Sequence, residues 1–246
     1  VPYAIASLFV FLGFGLVYAF KFTLLLSFIL SGIFMFGFTN ALFKDTKKAF
    51  MATIFYQFVP FHIIELLIRG SFGGVYVYAF LPLVLWGLLL LFKKTEIRYV
   101  VLTAVATALL ILSHNAISLV FFLIALSFVI VFGKKMQNYI YGLLSLFLGL
   151  LLSAFYWIPA VFEHKYTYGD LFMKNIYLSH FPPIQNFFIP NFLNDVRLQT
   201  GGISVQIGIF HILAFMLSLY ILLTYKKITP VIKKLLFFCL TLFLIA

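Results

Sequence analysis

The sequence predicts an all-α fold, a polytopic bundle of transmembrane helices. Hydrophobic residues make up 65% of the 246-residue chain and charged residues only 9%, and the mean hydropathy is +1.17. Apolar runs of about 17 to 25 residues, long enough to cross a bilayer, follow one another along the chain. A soluble domain needs a polar face on each element, and a transmembrane β-barrel needs short alternating segments, so both classes are excluded.

Nine apolar runs can be delimited, and they predict eight spans and a truncated ninth in one transmembrane domain over residues 1–246. The runs are 2–20, 22–43, 49–68, 75–92, 99–112, 116–132, 139–161, 203–225 and 228 onward. The first run contains Gly13 and Gly15, and it can also form a helix on the membrane surface without altering the order of the later spans. Because the chain begins with Val1 and stops at Ala246 inside an apolar run, we expect it to be a fragment.

The distribution of basic residues predicts the orientation. If each run crosses once, 12 of the 17 basic residues fall on one side, which the positive-inside rule assigns to the cytoplasm. These twelve are Lys44, Lys47, Lys48, Lys93, Lys94, Arg98, Lys134, Lys135, Lys226, Lys227, Lys233 and Lys234; the outer side receives Lys21, Arg69, Lys165, Lys174 and Arg197. The net charge of +11 is therefore explained by the orientation of the chain in the plasma membrane, and nucleic-acid binding is not predicted. The expected partner is membrane lipid.

Three adjacent polar residues interrupt the apolar stretch 99–132. Basic clusters flank this stretch at both ends, so it must cross an even number of times, with Ser113, His114 and Asn115 at the outer turn of a hairpin. Its arms of 14 and 17 residues span about 21 and 26 Å, against about 30 Å of hydrocarbon. We therefore expect a recessed polar pocket that opens to the outside. The alternative is that these residues only cap the two helices.

The third run carries the other polar residues at membrane depth. His62, Glu65 and Arg69 are spaced to share one helix face, and Glu65 precedes Arg69 by four residues, which favours an ion pair. Pro60 predicts a kink, and the glycines that follow Arg69 predict a turn at the membrane edge. Arg69 could there bind a phosphate or simply reach lipid headgroups, and Glu65 could serve only as its partner. The zinc spacing H-E-x-x-H is missing, so no metal site is predicted.

The one long connection, 162–202, is predicted to lie outside the membrane. Its prolines and phenylalanines favour an ordered cap at the interface, with a merely interfacial loop as the alternative. Pro159 is expected to end the helix before it, and Glu163 follows just beyond. The single Cys239 excludes an internal disulfide, and no nucleotide-binding or nucleophile motif is present, so the sequence leaves the cofactor open.

Three segments and one helix carry a family resemblance. "LIRGSFGGVYVYAFLPLVLWGL", "LLILSHNAISL", "LSAFYWIPAVFEHKY" and the helix at 22–48 together resemble bacterial membrane proteins labelled "6-pyruvoyl-tetrahydropterin synthase-related domain". The resemblance covers about residues 22–166. That family looks like a relative of the GT-C glycosyltransferases, integral enzymes that take a sugar from a polyprenyl phosphate at an outer cavity. Their catalytic carboxylate usually sits in a first outer loop, which would precede Val1 here.

The resemblance implies a GT-C-like membrane glycosyltransferase core that uses a polyprenyl-phosphate-linked sugar at an outward-facing pocket. The implied substrate-binding residues are Arg69, Ser113, His114, Asn115 and Glu65, and the implied catalytic carboxylate is Glu163. Two alternatives stay open. Broken helices and ion pairs at membrane depth also build transporters or flippases for lipids and polar solutes. A non-catalytic membrane scaffold would use the same polar residues only for packing and capping.

Overall fold

A computed structural model describes residues 1–168, 182–190, 202–224, 230, 232–236 and 238, and within these ranges the chain is helical, with no strand. The α-helices are α1 (Pro2–Phe11), α2 (Leu16–Phe43), α3 (Thr46–Gln57), α4 (Pro60–Ile63), α5 (Gly74–Lys93), α6 (Ile97–Ile111), α7 (Asn115–Phe132), α8 (Met136–Leu152), α9 (Ala154–Phe162) and α10 (Ile209–Thr224). A π-helical turn, Ile64–Ile68, continues α4, and 3-10 turns cover His164–Tyr166 and Ile184–Phe187. The predicted all-α class is confirmed.

Three helices, α2, α5 and α7, are each long and apolar enough to cross a membrane. Two bent pairs, α3 with α4 and its π turn and α8 with α9, raise the number of candidate spans among the described residues to five. The helices α1, α6 and α10 are apolar but shorter. The described residues therefore contain several candidate membrane spans, whereas the count of eight spans and a truncated ninth stays a prediction.

The first apolar run does not form one helix. Gly13 has a φ of +93°, so the chain turns after α1, and α2 then continues without a break past residue 21, the predicted boundary between the first two runs. Near its start, α1 touches the bundle through an edge-to-face contact of Tyr3 with Phe72, and near its end Phe9 lies 5.8 Å from Phe22. Both contacts are at the same end of the bundle. The structure therefore favours the alternative in which this run does not cross.

Helix α5 is the centre of the bundle, with most of its side chains buried, and α2 and α6 pack against it. Small residues allow the close approach. A methyl group on Gly37 would lie 2.6 Å from the ring of Trp86, and one on Gly87 would lie 2.5 Å from the hydroxyl of Thr103. Such small-residue contacts are typical of packed membrane helices. Because α5 is fixed on both sides, its first residue, Gly74, is fixed too, and the candidate site begins there.

The predicted kink at Pro60 is confirmed. Helix α3 ends at Gln57, α4 begins at Pro60, and the two axes differ by 57°. The amide of Gln57 holds the break against α2, because Nε2 donates to the carbonyl of Phe28 at 2.7 Å and Oε1 accepts from Ser31 Oγ at 2.5 Å. The missing N–H of proline and these cross-helix bonds together explain why the helix breaks here.

A second bend of 70° lies between α8 and α9, at Ser153. The expectation that Pro159 ends this helix was wrong, since α9 continues past it to its last residue, Phe162. Ser153 Oγ donates to the carbonyl of Gly149 at 3.0 Å, and the Trp157 indole donates to the carbonyl of Leu150 at 3.0 Å. These side chains satisfy the last carbonyls of α8 and so permit the bend. Pro159 lies inside α9, where it removes one backbone N–H donor without ending the helix.

Several predicted features lie wholly or partly outside the described residues. They include much of the connection 162–202, at 169–181 and 191–201, and most of the ninth run. Lys174, Arg197, Lys226, Lys227 and Cys239 also lie outside the described ranges. The predicted ordered cap and the positions of these residues therefore stay predictions.

Candidate functional site

The glycine-rich turn 69–74 and the polar turn 113–115 pack directly against each other. A methyl group on Gly73 would overlap the backbone carbonyl oxygen of Ser113 and would lie 3.4 Å from Cδ2 of His114. Only glycine fits at this distance. The edge-to-face contact of Tyr3 with Phe72 brings α1 to the same end of the bundle. We call residues 69–74 and 113–115 the paired turns.

The predicted ion pair between Glu65 and Arg69 is confirmed. The π-helical turn positions it, because the backbone N–H of Arg69 donates to the carbonyl of Ile64, five residues earlier, at 2.9 Å. Glu65 is fully buried, whereas the side chain of Arg69 is 46% exposed. A guanidinium has five N–H donors, and the nitrogen that donates to Glu65 is Nη1. Arg69 is therefore held from behind by a buried carboxylate and presents the rest of its donors at the surface.

The second carboxylate oxygen of Glu65 has no hydrogen-bond partner among the described residues. It lies beside the start of α5, since a methyl group on Gly74 would be 2.5 Å from Oε2 and also 2.5 Å from Ser71 Oγ. A buried carboxylate oxygen without a partner costs free energy. The glycine at position 74 is thus required by space, and Glu65 keeps an unused acceptor next to the paired turns.

His62 lies deeper, inside an aromatic cage that sequence reasoning missed. Its ring stacks on Tyr78 with 4.7 Å between centroids and lies 5.9 Å from the ring of Tyr56. The ring is fully buried, and neither nitrogen makes a hydrogen bond of good geometry within the described chain, although the carbonyls of Tyr56 and Gln57 are near. His62 therefore shares the buried face with Glu65, as expected, but does not reach the paired turns. Aromatic residues are frequent throughout this apolar chain, so the sequence did not indicate which of them surround His62.

In the outer turn, two of the three polar residues cap helices. His114 is the N-cap of α7, and its Nδ1 accepts the backbone N–H of Ile117 at 3.4 Å. Ser113 is buried, and its hydroxyl donates to the carbonyl of Leu109 at 2.6 Å. Asn115 is exposed at the first position of α7. Capping accounts for these bonds, and a neutral His114 that accepts at Nδ1 has a proton left at Nε2 to donate.

The structure does not bring Glu163 onto the paired turns. Glu163 is exposed directly after α9, and no hydrogen bond or ion pair joins its side chain to Arg69 or His114 within the described residues. Across the same described ranges, no three His, Cys, Asp or Glu side chains are grouped as metal ligands.

An apolar groove, also missed from the sequence, borders the π-helical turn. It has a volume of about 580 Å³ and is lined mainly by apolar side chains, among them Phe58, Ile63, Ile64, Ile68, Pro190 and Phe210. Ile64 and Ile68 belong to the π turn itself, and Ile68 directly precedes Arg69. The groove forms where the segment before α10 packs on the kink, with Gly208 against Pro60. No single segment shows it, because its two walls are about 150 residues apart in sequence.

Comparison with known proteins identifies a family that covers the whole chain. A family model described as "6-pyruvoyl-tetrahydropterin synthase related domain", a family of membrane proteins, matches residues 1–246. No curated protein and no solved structure matches the chain. The family resemblance inferred from the sequence is thereby confirmed, and the match extends beyond the residues from which it was inferred.

Proposed function

Because the chain belongs to the 6-pyruvoyl-tetrahydropterin synthase related domain family of membrane proteins, we propose that its paired turns and apolar groove bind a polyprenyl-phosphate-linked sugar. The chain would then be the core of a GT-C-like glycosyltransferase of a bacterial plasma membrane. The proposal rests on one observation. The half-exposed side chain of Arg69 is held by a buried carboxylate, and Arg69 is the next residue in the chain after Ile68, which lines the apolar groove. Such a combination suits a ligand with a phosphate head and a long apolar tail.

Arg69 would bind the phosphate. The planar guanidinium can form two parallel hydrogen bonds to phosphate oxygens, and the bond to Glu65 fixes its orientation beforehand. Glu65 lies behind the guanidinium and is fully buried, so a phosphate at the surface meets the cation first. His114 Nε2–H and the exposed amide of Asn115 are the further donors that the paired turns offer, and Ser113 supports them through its buried turn.

The apolar groove would hold the isoprenoid chain. Its volume of about 580 Å³ falls within the range of about 300 to 1,000 Å³ that is common for ligand sites. The exposed Leu67 extends the apolar surface at the same turn. A lipid tail in the groove would place its head near residue 69, since the chain passes from the groove wall at Ile68 to Arg69 without a break.

In the proposed reaction, an acceptor hydroxyl oxygen forms a bond to the anomeric carbon while the bond from that carbon to the phosphate oxygen breaks. The hydroxyl proton passes to a carboxylate, for which we propose Glu163, and the leaving lipid phosphate keeps the electron pair and is stabilised by Arg69 and His114. Glu163 is exposed directly after α9, away from the paired turns. The family resemblance alone supports its role.

The test is transfer of radiolabelled sugar from the lipid donor in membranes that contain Arg69→Ala, Arg69→Lys or Arg98→Ala. The first should lose about 30- to 1000-fold in turnover, since one charge-stabilising contact is worth about 2 to 4 kcal/mol. Arg69→Lys should recover part of it, because a point charge replaces a planar fork. Arg98→Ala is the matched control: it also breaks an arginine–glutamate pair, with Glu96, but at the opposite end of the bundle.

Protein abundance must be measured alongside, because Arg69→Ala leaves Glu65 buried and unpaired, which costs about 3 to 5 kcal/mol. A Glu65→Gln/Arg69→Ala double variant removes that buried charge and should restore abundance without restoring transfer. Normal transfer in an abundant Arg69→Ala protein would refute the role of Arg69 and would favour a non-catalytic scaffold.

One feature favours a transporter or flippase as the second candidate. The third span is broken at residues 58–59, next to the buried His62 and Glu65, and broken helices at membrane depth are common in transport sites. Counterflow of a labelled lipid phosphate in proteoliposomes separates the two. Movement of the whole lipid without sugar transfer, lost in the Arg69→Ala variant, would select transport.

A further inference from the structure

A second cavity lies at the end of the bundle opposite to the paired turns. Helices α2, α5 and α7 all begin near the paired turns and end at the basic clusters, and between these ends lies a cavity of about 360 Å³. Four lysines line it, each from a different segment of the chain: Lys44, Lys93, Lys134 and Lys234. We call it the lysine pocket. The inference that follows is independent of the function proposed for the paired turns.

Two of the four lysines have a structural role. The ammonium of Lys93 donates to the carbonyl of Ala41, and that of Lys234 donates to the carbonyl of Val131 at 2.8 Å. Both carbonyls belong to last turns, of α2 and α7, where cations interact favourably with the helix dipole. Lys44 and Lys134 have no such role, because their ammonium groups bind no carbonyl or carboxylate within the described chain. Lys44 also ends α2 at a φ of 54°, which glycine adopts more readily.

Among the residues that the structure describes, no acidic side chain lines the lysine pocket. Asp45, the nearest acid in sequence, turns away: it caps α3 and pairs with Lys48, whose backbone N–H and ammonium lower the pKa of this carboxyl. Glu96 pairs with Arg98. Inside the pocket, Lys44 and Lys93 line the same cavity. The positive charge of the pocket is therefore not balanced by the residues that form it.

Two further features distinguish the pocket from a plain basic surface. Asn138 lines it, is only 6% exposed, and makes no side-chain hydrogen bond to the described residues. Its amide is not among the fully buried, unpaired polar groups of the described chain, so it is accessible to a ligand or water in the cavity. The other wall is apolar and includes Phe92 and Phe132. A site with lysines, a buried amide and an apolar wall fits an amphipathic anion better than a free ion.

We propose that the lysine pocket binds the phosphate headgroup of an anionic glycerophospholipid from the leaflet at this end, which the positive-inside rule assigns to the cytoplasm. Lys44 and Lys134 contact the phosphate, the amide of Asn138 donates to an ester or glycerol oxygen, and the first part of an acyl chain lies along Phe92 and Phe132. Basic pockets between membrane helices commonly take phospholipid headgroups in this way.

The experiment is native mass spectrometry of the delipidated protein titrated with phosphatidylglycerol, with phosphatidylcholine as the neutral lipid. A Lys44→Gln/Lys134→Gln variant should bind phosphatidylglycerol about 30-fold more weakly, or about 2 kcal/mol, if each lysine contributes about 1 kcal/mol. The matched control is Lys94→Gln/Lys135→Gln. It removes the same charge from the neighbouring positions, which do not line the pocket, and should bind as the wild type does.

Three results would overturn the proposal: equal losses in both variants, no loss in either, or binding of phosphatidylcholine as strong as that of phosphatidylglycerol. A wild-type protein that binds inorganic phosphate but retains no phosphatidylglycerol would overturn the lipid as the source. If the glutamine variant does not fold, the wild-type protein is instead crosslinked with a photoreactive phosphatidylglycerol to test the site. Crosslinks confined to the pocket residues support the site, and crosslinks spread equally to Lys94 and Lys135 contradict it. None of these results depends on sugar transfer at the paired turns.

Discussion

Replacing Gly73 with alanine tests the contact on which the candidate site depends. The new methyl group would overlap the carbonyl oxygen of Ser113, a backbone atom that cannot rotate away. Gly73 has a φ of −78°, so alanine itself is not strained there, and the smaller entropy of the unfolded chain favours alanine by about 0.4 to 1 kcal/mol. Overpacking typically costs about 1 to 3 kcal/mol. We therefore expect a net loss of up to about 2.6 kcal/mol in the free energy of unfolding.

Gly15→Ala is the matched control. Gly15, like Gly73, is the N-cap residue of a helix and has no side chain that could cap it. The poor N-cap preference of alanine therefore affects both variants equally. The nearest atom to a methyl group on Gly15 is 4.0 Å away, in the ring of Tyr18, which is ordinary contact. The difference between the two variants therefore isolates the overlap with Ser113.

The assay is unfolding in mixed micelles with increasing sodium dodecyl sulfate, followed by tryptophan fluorescence. Gly73→Ala should unfold at a lower detergent fraction than Gly15→Ala and should also weaken lipid-donor binding, because the paired turns separate. Equal unfolding of the two variants would show that the turns do not touch as described, and the candidate site would lose its basis.

Three further predictions concern other parts of the chain. Ser31→Ala should cost about 1 to 3 kcal/mol, because it leaves a buried amide oxygen without its donor, whereas Ser127→Ala, on an exposed helix face, should cost little in the same unfolding assay. Asp45 has a lowered pKa, so its stabilising effect is present above the unfolded pKa of about 4 and is lost as the pH falls through the folded pKa. The difference in unfolding midpoint between wild type and Asp45→Asn should thus be constant near neutral pH and should vanish in acid; a constant difference at all pH values would contradict the cap. In intact cells with the native cysteine replaced, an impermeant thiol reagent should label Tyr166→Cys but not Lys134→Cys, and the reverse pattern would invert the orientation.

Much of the fold could be predicted because the signals are local. The helical class follows from composition, the break between α6 and α7 from the three polar residues at 113–115, and the kink from the missing N–H of Pro60. The pair of Glu65 and Arg69 follows from a spacing of four residues, which places two side chains on one helix face even where the backbone becomes π-helical. In each case the cause lies within a few residues of the effect.

What could not be predicted depends on distant contacts. The bend at Ser153 needs the carbonyls of α8 to accept from Ser153 and Trp157, and serine is too common in membrane helices to mark a break. The turn at Gly13 is set by the packing of α1 across the end of the bundle. The lysine pocket joins four segments, and each lysine alone reads as an orientation signal.

The candidate site was predicted in part. The sequence placed Arg69 and the residues around His114 at one level, and the structure brings their turns into contact through Gly73. It does not bring Glu163 to them. The apolar groove was missed because its walls, at the kink and before α10, are joined only by folding. The polar residues alone therefore predicted a site for the lipid phosphate, and the sequence did not show the apolar surface that would hold the lipid tail.

The most direct test of the central claim is photocrosslinking of the purified protein with a polyprenyl phosphate that carries a photoreactive group next to its phosphate. The crosslinked residues are then identified by mass spectrometry, in the wild type and in the Arg69→Ala and Arg98→Ala variants. Our account predicts crosslinks within 68–74 and 113–115, lost in Arg69→Ala and kept in Arg98→Ala. Crosslinks that leave these segments unlabelled, or that persist unchanged in a folded Arg69→Ala protein, would contradict it.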